Sequence, residues 1–187
     1  MKKLVKWSVV LVVLSLVGVA ITDAQDSFSV AMISEDPTVP GHTFTKSAWE
    51  GLVAFGEENE IEEGESGYHL YASISEADYF TNFVNAIEGD FDLIIGLGSQ
   101  TQTALDESAL ANENQQFALV DGAVDHPNVA SLVFKDHEAA YLAGIATALE
   151  TQTNQVGFVG GAENATIQAF EQGFIAGVHE IDSEIDV

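Results

Sequence analysis

Cysteine is missing from all 187 positions, and so is arginine. Without thiols the chain can form no disulfide, present no thiolate nucleophile and offer no Cys-ligated zinc. Cations are scarce. Five lysines stand against 30 acidic residues, a formal charge of −25. Lys2, Lys3 and Lys6 sit at the amino terminus, so only Lys46 and Lys135 face the 30 carboxylates that follow Thr22. Such a surface repels phosphate backbones and anionic headgroups, because binding them takes many cationic contacts. Nucleic acid is therefore not an expected partner. Like charge also opposes compaction at low ionic strength. Two readings compete: an acidic interaction protein of the cytosol, or a globular protein adapted to high salt, where repulsion is screened within a few ångströms. An apolar content of 47% is enough for a core and favours the second. The five histidines, His42, His69, His126, His137 and His179, show no metal-ligand spacing. No Gly-x-Ser-x-Gly elbow is present, so a hydrolase triad has no support. The expectation is a chain with no metal, no cofactor and no catalytic residues.

What is present begins with a basic Met1–Lys6 and an apolar run from Trp7 to Ile21. Small residues at Thr22 and Ala24 suit cleavage before Gln25, the pattern of a secretory signal. The run is short for a membrane span, which needs roughly 20 apolar residues. An uncleaved anchor is the alternative. Either way, the remainder is expected outside the cytoplasmic membrane.

From residue 25 onward strands and helices alternate. Apolar strands are expected at 28–33, 68–74, 91–97, 117–120, 129–134 and 155–159. Helices are expected between them: one from a capping box at Ser47–Glu50 or from Thr45, one from Ser75, and a weaker one over 99–112. A helix opening at Asp136 as N-cap places Leu142, Ile145, Ala146 and Leu149 at helical spacing. A final helix over 164–181 carries Ile167, Phe170, Phe174 and Val178. This rhythm predicts an α/β fold, a parallel sheet with helices on both faces. Glu184–Val187 reads as the opening of a further strand, so the sequence is expected to be part of a longer chain.

In such sheets ligands bind beyond the carboxyl ends of the strands. Here those ends are polar: Ser34-Glu35-Asp36, Ser75-Glu76, Gly96-Leu97-Gly98-Ser99-Gln100, Asp121-Gly122 and Gly160-Gly161. Gly96-x-Gly98 invites a dinucleotide reading, but Thr101 stands where the third glycine is needed. Carboxylates at the first strand end argue against any phosphorylated ligand. They suit donors such as ring N–H, amino or hydroxyl groups. Phe44, placed in the loop after the first strand, either packs under that loop or stacks on a flat ligand. Asp121, Asp136 and Glu138 are expected around one strand-to-helix crossing. Asn164-Ala165-Thr166 matches a glycosylation sequon, with an N-cap role for Asn164 the simpler account.

Thr43–Gly51 resembles the Ser-Phe-Asn-x-Ser-Ala-Trp-Glu-Gly segment of the basic membrane protein family, the purine-nucleoside-receptor-like binding proteins of ABC importers. Residues 117–131 and 134–138 resemble that family's central segment, and 156–161 and 170–177 its second-lobe opening. The resemblance implies a type I periplasmic-binding fold in which two α/β lobes close on a nucleoside and dock on a membrane permease. It divides the chain into a signal (1–24), a first lobe (25–134) and the start of a second (135–187). Phe44 is the implied stacking aromatic, and Glu35 or Asp36 the implied base-recognising acid. Ser99 and Gln100 line the implied pocket, with Asp121 the polar strand-end group. A monomer, periplasmic or at the cell surface, is expected; a sensor module of the same fold is the alternative. Thr45 replaces the family Asn, and no lipobox cysteine follows the signal.

Overall fold

The computed structural model describes residues 28–39, 41–161 and 163–187. The targeting segment expected at 1–24 lies outside them, as does Pro40. Five strands pair in parallel in the order β2-β1-β3-β4-β5: β1 Val30–Glu35, β2 Tyr68–Ser73, β3 Leu93–Leu97, β4 Gln116–Val120 and β5 Val129–Leu132. The helices are α1 Thr43–Glu58, α2 Glu76–Glu88, α3 Gln102–Ala111, α4 Asp136–Glu150 and α5 Ala165–Ile181. A 3₁₀ turn, Ser99–Thr101, leads into α3.

Side chains alternate across a strand, and the two faces of this sheet are covered differently. Ala31, Ile33, Ile94, Phe117 and Leu119 meet Phe83 of α2 and Leu105 of α3 in one buried cluster. Val30, Met32 and Leu97 face the other way, against Leu52 of α1. One helix is about 10 Å wide and cannot cover five strands spaced about 4.8 Å apart. A hollow of about 550 Å³ therefore remains beside α1, over Val30, Met32, Leu93 and Ile95.

Helix α2 starts from Ser75 as expected: the Asp78 carboxylate accepts from the Ser75 amide at 2.8 Å and the Ile74 amide at 3.0 Å. Its buried stripe is Tyr79, Phe83 and Ala86, and Val84 points outward. No helix joins β4 to β5. The loop over 121–128 is pinned instead by Asn128, which is buried and donates its amide toward the carbonyls of Ala109, Asn112 and Gln115 at 3.0–3.2 Å.

Three expected elements differ. Residues 155–159 form no strand. Gln155 makes a single parallel bridge to Asp186, and Val159 is 95% exposed. A strand exists only through its neighbours, and here the pairing stops at the Val156 amide, which donates to Asp186 O at 2.9 Å. In α4 the large residues Leu142 and Leu149 are exposed, while Ala140, Gly144 and Ala148 are buried. The cause is α5, which stands so close that a Cβ on Gly144, Gly173 or Gly177 would lie within 2.3 Å of a backbone oxygen of the facing helix. Finally, α1 begins at Thr43, ahead of the expected Ser47 or Thr45 start, and Thr45 is buried. The final helix holds as expected, with Phe174 and Val178 buried and Phe170 packed on them.

The glycine contact carries a prediction. In Gly177→Ala the new methyl meets the Tyr141 carbonyl oxygen at 2.0 Å. That backbone atom cannot swing away, so α4 and α5 must part. The loss, about 1–3 kcal/mol for overpacking, outweighs the gain in helix propensity of about 1 kcal/mol. Gly51→Ala in α1, where the methyl meets nothing within 4 Å, keeps only the gain. Chemical denaturation should move the two midpoints in opposite directions.

Candidate ligand crevice at the strand tips

β1 is flanked by β2 on one side and by β3 on the other. The chain thus reverses its direction of travel across the sheet between β1 and β3. A crevice opens outside the carboxyl ends at such a switch point. Those two ends are Glu35-Asp36 and Gly98-Ser99-Gln100.

At the β1 end, one Asp36 carboxylate oxygen accepts from the Thr38 amide at 2.8 Å and its hydroxyl at 2.7 Å. These two bonds, the hydroxyl first, hold Asp36 below the ordinary carboxylate range. His42 Nδ1 lies 2.8 Å from the Asp36 carbonyl. A carbonyl only accepts, so Nδ1 carries the proton. The other ring nitrogen, Nε2, is 3.8 Å from Glu35. This bracing brings the chain into helical register by Thr43, where His42 stands as the N-cap.

At the β3 end, Gly98 turns the chain at φ +90°, and a Cβ there would strike the Gln100 side chain. The buried Thr101 hydroxyl donates back to the Gly98 carbonyl at 2.9 Å. The glycine pair thus makes a tight turn backed by a threonine, and Thr101 fills the place a third glycine would leave open. Gln100 is hydrogen-bonded to the Tyr79 phenol. Burial, and then the nearby Glu35 charge, push that phenol up, and the bond to Gln100 opposes the shift. Glu35, Asp36, His42, Ser73, Glu76 and Tyr79 line one hollow of about 420 Å³.

Asp121 stands at the β4 tip in the left-handed region, φ +64°. Its amide donates to Leu132 O at 2.9 Å. Partial burial, and then the Asp136 charge, raise its carboxyl pKa. Asp136 is not the N-cap of α4: it is the helix's first residue and Lys135 is the cap. As an acid in the first turn it still complements the helix dipole. Glu138 pairs back to Lys135 at 2.7 Å.

The expected site residues are therefore only partly gathered. Glu35 and Asp36 share the hollow at the β1 and β2 tips, and Gln100 reaches it through Tyr79. Phe44 is not in a loop. It lies in the first turn of α1, half exposed, and lines the hollow on the opposite face with Leu97 and Val120. Asp121 lines neither hollow. Sequence reasoning missed His42, Tyr79 and the crevice-facing side of Asn164. Spacing along α2 points to Phe80, Phe83, Val84 and Ile87, whereas the buried stripe is Tyr79, Phe83 and Ala86. Among the described residues no cluster of His and acidic side chains could hold a metal, and no helix is long and apolar enough to cross a membrane.

Residues 28–187 match the family model described as ABC transporter substrate-binding protein PnrA-like. The CD4+ T-cell-stimulating antigen of Listeria innocua serovar 6a is 45% identical over 163 residues, 86% of this chain and 46% of that protein. The ABC transporter nucleoside-binding protein BmpA of Lactococcus lactis subsp. cremoris is 39% identical over 158 residues, 84% of this chain and 45% of that protein. The chain spans about half the length of the relatives it matches. A solute-binding protein of an ABC transporter system from Aeropyrum pernix K1 superposes with a TM-score of 0.67 at 24% identity, over 84% of this chain and 44% of that one. The chain belongs to the PnrA-like family of ABC transporter substrate-binding proteins.

Proposed function

We propose that this chain supplies one jaw, and the beginning of a second, of an extracytoplasmic receptor that binds a nucleoside and delivers it to a membrane permease without chemical change. The first jaw is residues 25–134 and the second begins at 135. One observation carries the reading most: the hollow at the β1 and β2 tips is lined by the carboxylates of Glu35, Asp36 and Glu76 and by the Tyr79 phenol, with no lysine among its lining residues. Glu35 and Asp36 accept hydrogen bonds from a base or sugar and repel phosphate. Ser99, Gln100 and Asp121 extend the polar rim along the same sheet edge. Phe44 lines the separate hollow beside α1 and is half exposed, available to stack on a flat solute once the jaws close. The Lactococcus lactis relative is nucleoside-binding by name, and the ligand class suggested here follows it. The receptor acts as a monomer outside the cytoplasmic membrane.

Calorimetric titration tests this with adenosine, guanosine and uridine beside their 5′-monophosphates. Nucleosides should bind, and monophosphates should bind roughly fivefold or more weakly, since close like charges cost about 1 kcal/mol or more even in water. Monophosphates binding as well as nucleosides would overturn the assignment. Phe44→Ala should lose about 1–3 kcal/mol of nucleoside affinity, the worth of one aromatic–base stack. Equal affinity in that variant removes Phe44 from the site.

A further inference from the structure

Asn164 serves two parts of the molecule at once. Its Oδ1 accepts from the Ile167 amide at 3.0 Å and caps α5. That bond fixes the amide plane and turns Nδ2 outward. Nδ2 donates to the Ser99 hydroxyl at 3.4 Å, across 65 residues of sequence. Ser99 opens the 3₁₀ turn at the β3 tip, beside the switch-point crevice. One side chain therefore ties the α4–α5 pair to the carboxyl edge of the sheet. At the strand-to-helix crossing the balance is the reverse, for the Asp121 and Asp136 carboxylates repel each other there. The approach of the helical pair is drawn in at the tip and pushed apart at the crossing.

We propose that Asn164 is the positioning residue of the second jaw. By donating to Ser99 it sets how closely α5 approaches the strand tips, and so how wide the crevice stands before a ligand enters. The significance for binding rests on the receptor reading above, but the contact itself is tested without ligand. A failure to bind nucleosides therefore leaves this result intact, and the reverse also holds.

Absence of cysteine allows a clean measurement. Thr103→Cys on α3 and Gln168→Cys on α5, both exposed, take spin labels, and pulsed dipolar spectroscopy reads their separation. Two variants break the contact differently. Asn164→Ser still caps a helix, but its one short hydroxyl is spent on the cap and leaves nothing to reach Ser99. Ser99→Ala removes the acceptor and leaves the α5 cap untouched. Each should shift the mean separation to longer values and broaden it. The double variant should open no further than the wider single variant. An unchanged distribution in Ser99→Ala overturns the proposal. So does an Asn164→Ser shift that adds in full to that of Ser99→Ala, because the two side chains would then act independently.

Discussion

Asn128→Asp is expected to cost about 3–5 kcal/mol at neutral pH, the loss typical of a buried charge left without a partner. The wild-type amide aims its two N–H groups at three carbonyl oxygens, those of Ala109, Asn112 and Gln115. An ionised carboxylate has no hydrogen to give and would place negative charge among three acceptors. It could escape only by taking up a proton, which restores one donor. The defect should therefore shrink as pH falls, and a raised carboxyl pKa is its signature: folded-state protonation adds stability below that pKa, lost as pH rises through it. Asn128→Ala isolates the missing bonds from the charge. It should lose about 1–3 kcal/mol, the penalty for unsatisfied buried acceptors, with little dependence on pH. The loss matters because the loop over 121–128 is the helix-free link that delivers β5 and sets Asp121 at its tip. Urea titrations of the three proteins at pH 7 and pH 4 distinguish the cases. Equal midpoints for wild type and Asn128→Asp at pH 7 would mean that the loop is not held by this amide.

What the sequence made legible follows from how local each signal is. The strands at Val30, Leu93 and Phe117 are short apolar runs bounded by polar tips, and burial on both faces of a parallel sheet demands such runs. The starts of α2 and α5 were readable because Asp78 and Asn164 act within one turn of where they stand. The α1 start was misplaced because its cap is a histidine braced by a carbonyl six residues earlier. No short cap pattern encodes that. The inner face of α4 was misread for another reason. Spacing pointed to Leu142 and Leu149, but the facing helix brings Gly173 and Gly177, and two backbones in near contact leave room only for Ala and Gly. The candidate site shows the same division. That Glu35 and Ser99 belong to one sheet edge followed from alternation alone. That Phe44 faces a different hollow from Asp36 depends on where α1 lies across the sheet, which is decided by packing among distant residues.

Salt should raise the unfolding temperature by about 10 °C between 0.1 M and 1 M KCl. Among the described residues only two lysines meet carboxylates, Lys46 with Glu50 at 3.6 Å and Lys135 with Glu138 at 2.7 Å, and both pairs are exposed. Exposed pairs contribute little, so most of the 30 acidic side chains repel one another without compensation. Two such charges about 10 Å apart in water repel by on the order of 0.4 kcal/mol. Screening over a Debye length of about 10 Å at 0.1 M leaves roughly a third of that, and about 3 Å at 1 M leaves almost nothing. Unfolding spreads the charges, so the repulsion acts mainly on the folded state. Summed over neighbouring carboxylates, its removal is worth about 3 kcal/mol against a total stability of about 5–15 kcal/mol, and each kcal/mol moves the midpoint by about 2–4 °C at this size. Circular-dichroism melts across a KCl series test it, and the shape of the response identifies the cause. Screening saturates, so most of the rise should fall below about 1 M. A rise that stays linear to higher concentration would instead reflect the exclusion of salt from apolar surface. A flat series would mean that the carboxylates are spaced too widely to matter, and the reading of this acidic surface as an adaptation to salt would fall with it.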